Sequence, residues 1–288
     1  MKTKHFLLTG IIGIALAGMI ITGCKKESDA DTDATAAQDD ANASFALNDS
    51  KNISDGAAKG QANERPQTAT CATISGDSSA TTDTLIISFP ATGSCTSPDG
   101  RIRHGDIIVY WTKNKGYFDS AASITMTWRN YSVTTSSGTT IGVTGTRTLT
   151  NTGRNDSGDH SWSFNANLTL TYSTGGTATW NSSRVNTLEK VGTQWFYVIT
   201  GSASGVCKSG VAYSLTITEP LYWTAYWLNG GPWWLGGTFC DCFESGQVEF
   251  TRKGKTYPLY LTFTSGVGKC GHTATATING NNYNIVLP

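Results

Sequence analysis

Four tryptophans and two tyrosines crowd the stretch Leu221–Phe239, L-Y-W-T-A-Y-W-L-N-G-G-P-W-W-L-G-G-T-F, around a Gly-Gly-Pro turn. Aromatic faces stack on sugars or grip a protein partner while Trp and Tyr edges keep hydrogen-bonding. The chemistry to expect is recognition, a glycan or protein contact through Trp223, Trp227, Trp233 and Trp234. The same residues equally suit a hairpin whose aromatics cap the end of a sheet core. Signals for catalysis are thinner. His104, His160 and His272 are scattered, and neither a G-x-S-x-G elbow nor an H-E-x-x-H helix occurs. Glycosidase chemistry would need two carboxyls about 5 to 9.5 Å apart across a cleft, for which Glu244 with Glu249 or Asp99 with Asp106 are the candidates. Arg103, Arg147 and Arg184 each stand beside a Gly- or Ser-rich turn. They could form an anion site or fasten strand ends by bonds to carbonyls and carboxylates. Cys240-Asp-Cys242 places its thiols closer than the two-to-four-residue spacing of structural zinc sites, so no metal and no cofactor is expected.

What positions these residues begins at the N-terminus. A basic start, Met1-Lys-Thr-Lys-His5, leads into the apolar run Phe6–Ile21, which is 16 residues long and ends abruptly. That is short for a spanning helix of about 20 residues and has the flanks of a secretory signal. Its ending, Leu16-Ala-Gly-Met-Ile-Ile-Thr-Gly-Cys24, resembles the lipobox of bacterial lipoproteins. The resemblance implies that residues 1–23 are a signal peptide, that Cys24 becomes the first mature residue, and that it carries acyl chains of the palmitate type. Membrane contact would then run through that lipid. Lys25 follows where Asp is associated with inner-membrane retention in enteric lipoproteins, which favours the outer membrane, facing either the periplasm or the medium.

Export changes the meaning of the thiols, because an even cysteine set in an oxidising compartment normally pairs. The six beyond Cys24 allow 15 pairings, and the preferred set is Cys71 with Cys95, Cys242 with Cys270, and Cys207 with Cys240. Each bond would stabilise by roughly 3 kcal/mol on the chain-entropy view.

Composition sets the class. The formal charge is zero, and loss of Lys2 and Lys4 with the signal leaves two acidic charges in excess. No basic footprint for nucleic acid is present. Residues 24–70 hold the lipidated Cys and then Asp, Ala, Ser, Gln and Asn with almost no large apolar side chain. Such a segment reads as a disordered tether, and its acidic cluster Glu27–Asp33 resembles surface-export signals of Bacteroidota-type lipoproteins.

Residues 71–288 read as one all-β domain, an antiparallel β-sandwich or a rolled extended sheet. His160–Tyr172 alternates without a break, with Trp162, Phe164, Ala166, Leu168, Leu170 and Tyr172 on one face. Ser123–Tyr131 alternates too, with Ile124, Met126 and Trp128 on one side, and Asp106–Thr112 is apolar on both faces. Tyr213, Leu215 and Ile217, then Val248 and Phe250, then Tyr257, Leu259, Leu261 and Phe263 extend the idiom, and Asn279-Gly280 marks a final hairpin turn. The Thr-x-Thr series Thr144 to Thr152 reads as the solvated face of a strand. Asp83-Thr-Leu85 and Asp119-Ser-Ala121 fit the short Bacteroidota O-glycosylation sequon.

In this order, Cys71-Ala-Thr-Ile-Ser75, Asp99-Gly-Arg-Ile-Arg-His-Gly105, Thr144-Gly-Thr-Arg-Thr-Leu-Thr-Asn-Thr-Gly153, Thr179-Trp-Asn-Ser-Ser-Arg184, Ile199-Thr-Gly-Ser-Ala-Ser-Gly205 and Ala274-Thr-Ala-Thr-Ile-Asn-Gly280 resemble the landmarks of an uncharacterised Bacteroidota lipoprotein family. The resemblance implies an exported all-β domain and no known activity. Cys207, the Cys240-Asp-Cys242 pair and the Trp-rich stretch depart from it. The expectation is therefore a structural or binding component of the envelope, with a surface glycan-binding protein as the alternative and an envelope hydrolase third. Its partners would be the membrane, through lipid, and a glycan or envelope protein.

Overall fold

The computed structural model describes residues 31–59, 72–79, 81–92, 101–112, 116–117, 119–135, 137–154, 158–224, 243–264 and 273–287. The described chain is one sheet and one helix. The strands are β1 (Thr73–Ser78), β2 (Thr82–Phe89), β3 (Arg103–Thr112), β4 (Ser123–Thr134), β5 (Thr140–Arg154), β6 (His160–Tyr172), β7 (Thr177–Val191), β8 (Gln194–Val206), β9 (Ala212–Thr224), β10 (Ser245–Arg252), β11 (Leu259–Phe263), β12 (Thr273–Ile278) and β13 (Asn281–Val286). They lie side by side in chain order, so each pairs only with its sequence neighbours, and every pairing is antiparallel. The all-β expectation holds, and the single continuous sheet is the rolled alternative rather than a sandwich.

Alternation drives the roll. In β7 Ala178, Trp180, Ser182, Arg184, Asn186 and Leu188 are all buried, while Thr177, Thr179, Asn181, Ser183 and Val185 between them are exposed. β6 spans the residues whose two-residue period defined it, His160–Tyr172. Bulges let the long strands bend while keeping apolar side chains inward. In β4 the inward positions are Ile124, Met126 and Trp128, then Tyr131 and Val133, because the register slips by one around Arg129-Asn130. Gly105 faces that slip with φ +76°, and a Cβ there would stand 2.1 Å from the Asn130 carbonyl oxygen. Asn279 (φ 49°) and Gly280 (φ 77°) form the two-residue turn between Ile278 and Asn281, as the dipeptide foretold.

Inside the roll runs α1 (Thr35–Lys59), 25 residues long. Every residue from Asp39 to Lys51 is buried, and α1 packs against β2, β3, β5, β7, β10 and β13. Over residues 31–59 this corrects the disordered tether expected for 24–70; residues 24–30 and 60–70 lie outside the described residues. The compact unit begins at Asp31, not at Cys71. Local composition misleads here because the bore is filled by small Ala side chains, with Phe45, Leu47 and Ile53 as the larger ones, and by polar groups whose partners lie far along the chain. A helix enclosed on all sides also needs no apolar stripe, so the usual 3.6-residue hydrophobic period is missing. A smaller correction concerns Tyr257, expected inward but 43% exposed and preceding β11.

Candidate functional site: polar contacts inside the rolled sheet

Most buried charges of the described chain gather along α1 and the residues leading into it, where the carboxylates are met by donors from the strands and from the turns between them. At the entry, Asp31 Oδ2 accepts from Arg252 Nη2 at 2.7 Å, and the Asp33 carbonyl accepts from Arg252 Nη1 at 2.6 Å. Asp33 Oδ1 then takes the Thr35 amide at 3.0 Å, capping the helix start. One turn on, Asp39 Oδ2 accepts the Lys208 amide at 2.6 Å. Asp40 Oδ1 accepts both Arg184 Nη2 at 2.9 Å and Trp180 Nε1 at 2.7 Å, and Ser44 Oγ accepts Arg184 Nη1 at 3.0 Å. Further along, Asp49 Oδ2 accepts from Arg103 Nε and from the Tyr131 hydroxyl, each at 3.0 Å, while Oδ1 accepts from Arg103 Nη2. Ser50 Oγ accepts Trp128 Nε1 at 2.9 Å. At the C-terminal end Lys51 pairs with Asp55, whose other oxygen accepts the Tyr117 hydroxyl at 2.8 Å.

Helix geometry explains the choice of walls. Asp40 and Asp49 are nine residues apart, about two and a half turns, so they point to opposite sides of α1. Their partners Arg184 and Arg103 stand on β7 and β3, four strands apart in the sheet order. A helix can be gripped from both sides in this way only where the sheet has curled around it.

The electrostatics follow from burial and partner count. Burial would raise the Asp49 carboxyl, but the Arg103 charge and hydrogen bond, with Arg101 and Tyr131 behind them, outweigh it and hold the group below the usual carboxylate range. Lys51 loses hydration on burial, yet Asp55 more than compensates and its ammonium sits above the ordinary lysine value. Asp39 goes the other way, since burial raises it further than the Lys208 amide and Tyr172 lower it. Chemically, carboxylates clamped by guanidinium and indole donors are neutralised and positioned. They anchor a helix rather than relay protons.

Arg103, Arg147 and Arg184 all point inward and bond to α1, Arg147 through Nη1 to the Leu47 carbonyl at 3.3 Å. They fasten the helix, not strand ends. Trp223 is 2% exposed, with its ring 5.7 Å from that of Tyr197. It serves the core and is corrected as a ligand contact; Trp227, Trp233 and Trp234 lie outside the described residues. Cys207 carries a free buried thiol that donates to the Val211 carbonyl at 3.1 Å, which overturns its expected bond to Cys240. Cys24, Cys71, Cys95, Cys240, Cys242 and Cys270 lie outside the described residues. Of the carboxylate pairs, Glu244 is fully buried, Glu249 faces out between inward Val248 and Phe250, and Asp106 forms a surface pair with Arg129 at 2.6 Å; Asp99 is outside the described residues. The helix carboxylates themselves had one signal in the sequence. From Asp31 to Lys59 there is no Pro and a single Gly, Gly56, unlike a flexible linker.

Compared with known proteins, the chain finds no match among family models, characterised proteins or solved structures.

Proposed function

We propose that this protein is a lipid-anchored component of the outer envelope, structural or binding in kind, held to the membrane by acyl chains on Cys24 and kin to the Bacteroidota lipoproteins its landmarks resemble. The observation that carries the reading is the polarity of the roll's outer face. On β5, β6 and β7 the outward positions include Thr144, Thr146, Asn165, Asn167, Asn181 and Ser183. A barrel immersed in lipid needs an outward apolar band about 25 Å tall, and these strands present hydroxyls and amides instead. Among the described residues no helix is long and apolar enough to cross a membrane. A water-facing roll behind a lipobox-like ending fits attachment by lipid alone.

The test is metabolic labelling of producing cells with a clickable palmitate analogue. The wild type should take up label and sediment with outer membranes, and Cys24→Ala should lose both. Unlabelled wild-type protein recovered from the soluble fraction would sink the reading.

A further inference from the structure

On the side of α1 that faces β5 and β7, the inward side chains hold a charge imbalance that the helix clamps leave unresolved. Lys51 is paired with Asp55, and Arg184 with Asp40. Arg147 lies near enough to Lys51, Asp55 and Arg184 to feel their charges, yet among the described residues it forms no ion pair of its own. Three cations thus face two carboxylates, leaving one positive charge over. Arg147 is 1% exposed, and the Phe164 ring covers its guanidinium at 4.6 Å. Burial pushes its guanidinium down to about 10, which leaves it charged at neutral pH.

The donors that remain have a direction. Arg147 makes one long bond, through Nη1, while Nε and Nη2 have no partner. Those two nitrogens form one edge of the guanidinium, the fork whose spacing matches two oxygens of an oxyanion. Arg147 stands opposite Ala166 on β6, Ala166 opposite Ser182 on β7, and Ser182 opposite Ala203 on β8. The inward row beside Arg147 is therefore made of short side chains. In it the Ser182 hydroxyl is also buried without a partner, as is Nε of the neighbouring Arg184. Unpartnered buried donors on cations are rare because desolvation is so unfavourable, and here two arginines carry them on neighbouring inward positions of the sheet, with the Ser182 hydroxyl beside them.

We propose that this row is a binding site for a small oxyanion, an inorganic phosphate, sulfate or nitrate, held by the Nε/Nη2 edge of Arg147 with the Ser182 hydroxyl and Arg184 Nε completing its shell. The site is independent of how the protein is anchored. A ligand that binds only the folded state raises the folded-to-unfolded ratio about 100-fold at 100 times its dissociation constant. Thermal unfolding of the full exported chain, at constant ionic strength with gluconate as the bulky reference anion, should show a saturable rise in Tm with phosphate, sulfate or nitrate. General salting effects of sulfate do not saturate, which separates the two. Arg147→Met should remove the saturable part. Should that variant fail to fold, Ser182→Ala keeps the fold and should weaken the apparent affinity about 5-fold or more, the loss of one hydrogen bond to a charged ligand. Saturation by chloride as strongly as by nitrate would replace the oxyanion with a halide and overturn the assignment. Identical, non-saturable profiles in every salt would also overturn it and give the row to ordered water.

Discussion

α1 and β6 are both central to the molecule and nearly equal in length, about 37 Å at 1.5 Å per residue and about 43 Å at 3.3 Å per residue for 25 and 13 residues. The two are written into the sequence in opposite ways. β6 carries its own instructions, since each apolar residue alternates with a polar one and the buried face is legible within thirteen letters. α1 carries almost none, because Asn, Ser and Asp recur through it and weaken its intrinsic helicity. Its helicity depends on partners 54 to 248 residues away, from Arg103 against Asp49 to Val286 against Gln38. An interior can therefore be specified by pattern or by pairing, and the second kind is invisible to any local window.

The contrast can be broken most severely by removing its unusual member. Deleting residues 31–59 should abolish the cooperative thermal transition followed by near-UV circular dichroism, because the roll would lose the element that fills it. Acid should act next, on several clamps together. Asp31, Asp33 and Asp49 are all held below their ordinary range despite burial, which by itself raises them; Arg252 and Lys255 for the first, Thr35 for the second and Arg103 for the third tip the balance. A depressed carboxyl contributes stability that is complete above its unfolded value near 3.9 and lost as pH falls through the folded value. Urea midpoints should thus hold steady from about pH 7 to 5 and drop progressively below about pH 4. A flat profile down to pH 2 would show that the clamps contribute nothing.

Single substitutions sharpen the comparison further. Asp49→Asn leaves Arg103 buried without its counter-charge and should cost about 3 to 5 kcal/mol in urea denaturation. Pairing it with Arg103→Met should restore much of the loss. Leu168→Ala in β6 removes a pattern-specified core residue and should cost about 2 to 5 kcal/mol from the cavity it leaves. Thr169→Ala, one position along on the outer face, should change stability by no more than about 0.5 kcal/mol.

Legibility followed the same divide. Alternation in β4, β6 and β9 and the turn chemistry of Asn279-Gly280 were readable because strand side chains sort by face every second residue. The slip at Arg129-Asn130 ended the readable phase of β4 early, since Tyr131 faces inward out of step with Trp128. Arg103, Arg147 and Arg184 stood out in the sequence as fasteners, but what they fasten could not be read, because their acceptors lie on an element that looked unstructured. Trp223 was misjudged for a related reason. Its sequence context is aromatic enough to suggest a contact surface, while in the fold it is part of the core, with its ring against Tyr197 of β8.

The order of the sheet bears on how the chain reaches this state. Strands that pair only with sequence neighbours close short loops, so the meander can zip progressively with little entropy lost at each step. α1 breaks that economy. It emerges before every strand and still reaches the last one, where Gln38 Nε2 donates to the Val286 carbonyl at 2.9 Å across 248 residues. Its docking ties the first and last described parts of the chain together, so a sheet that could assemble piecemeal should acquire an all-or-none final step and unfold in a single transition.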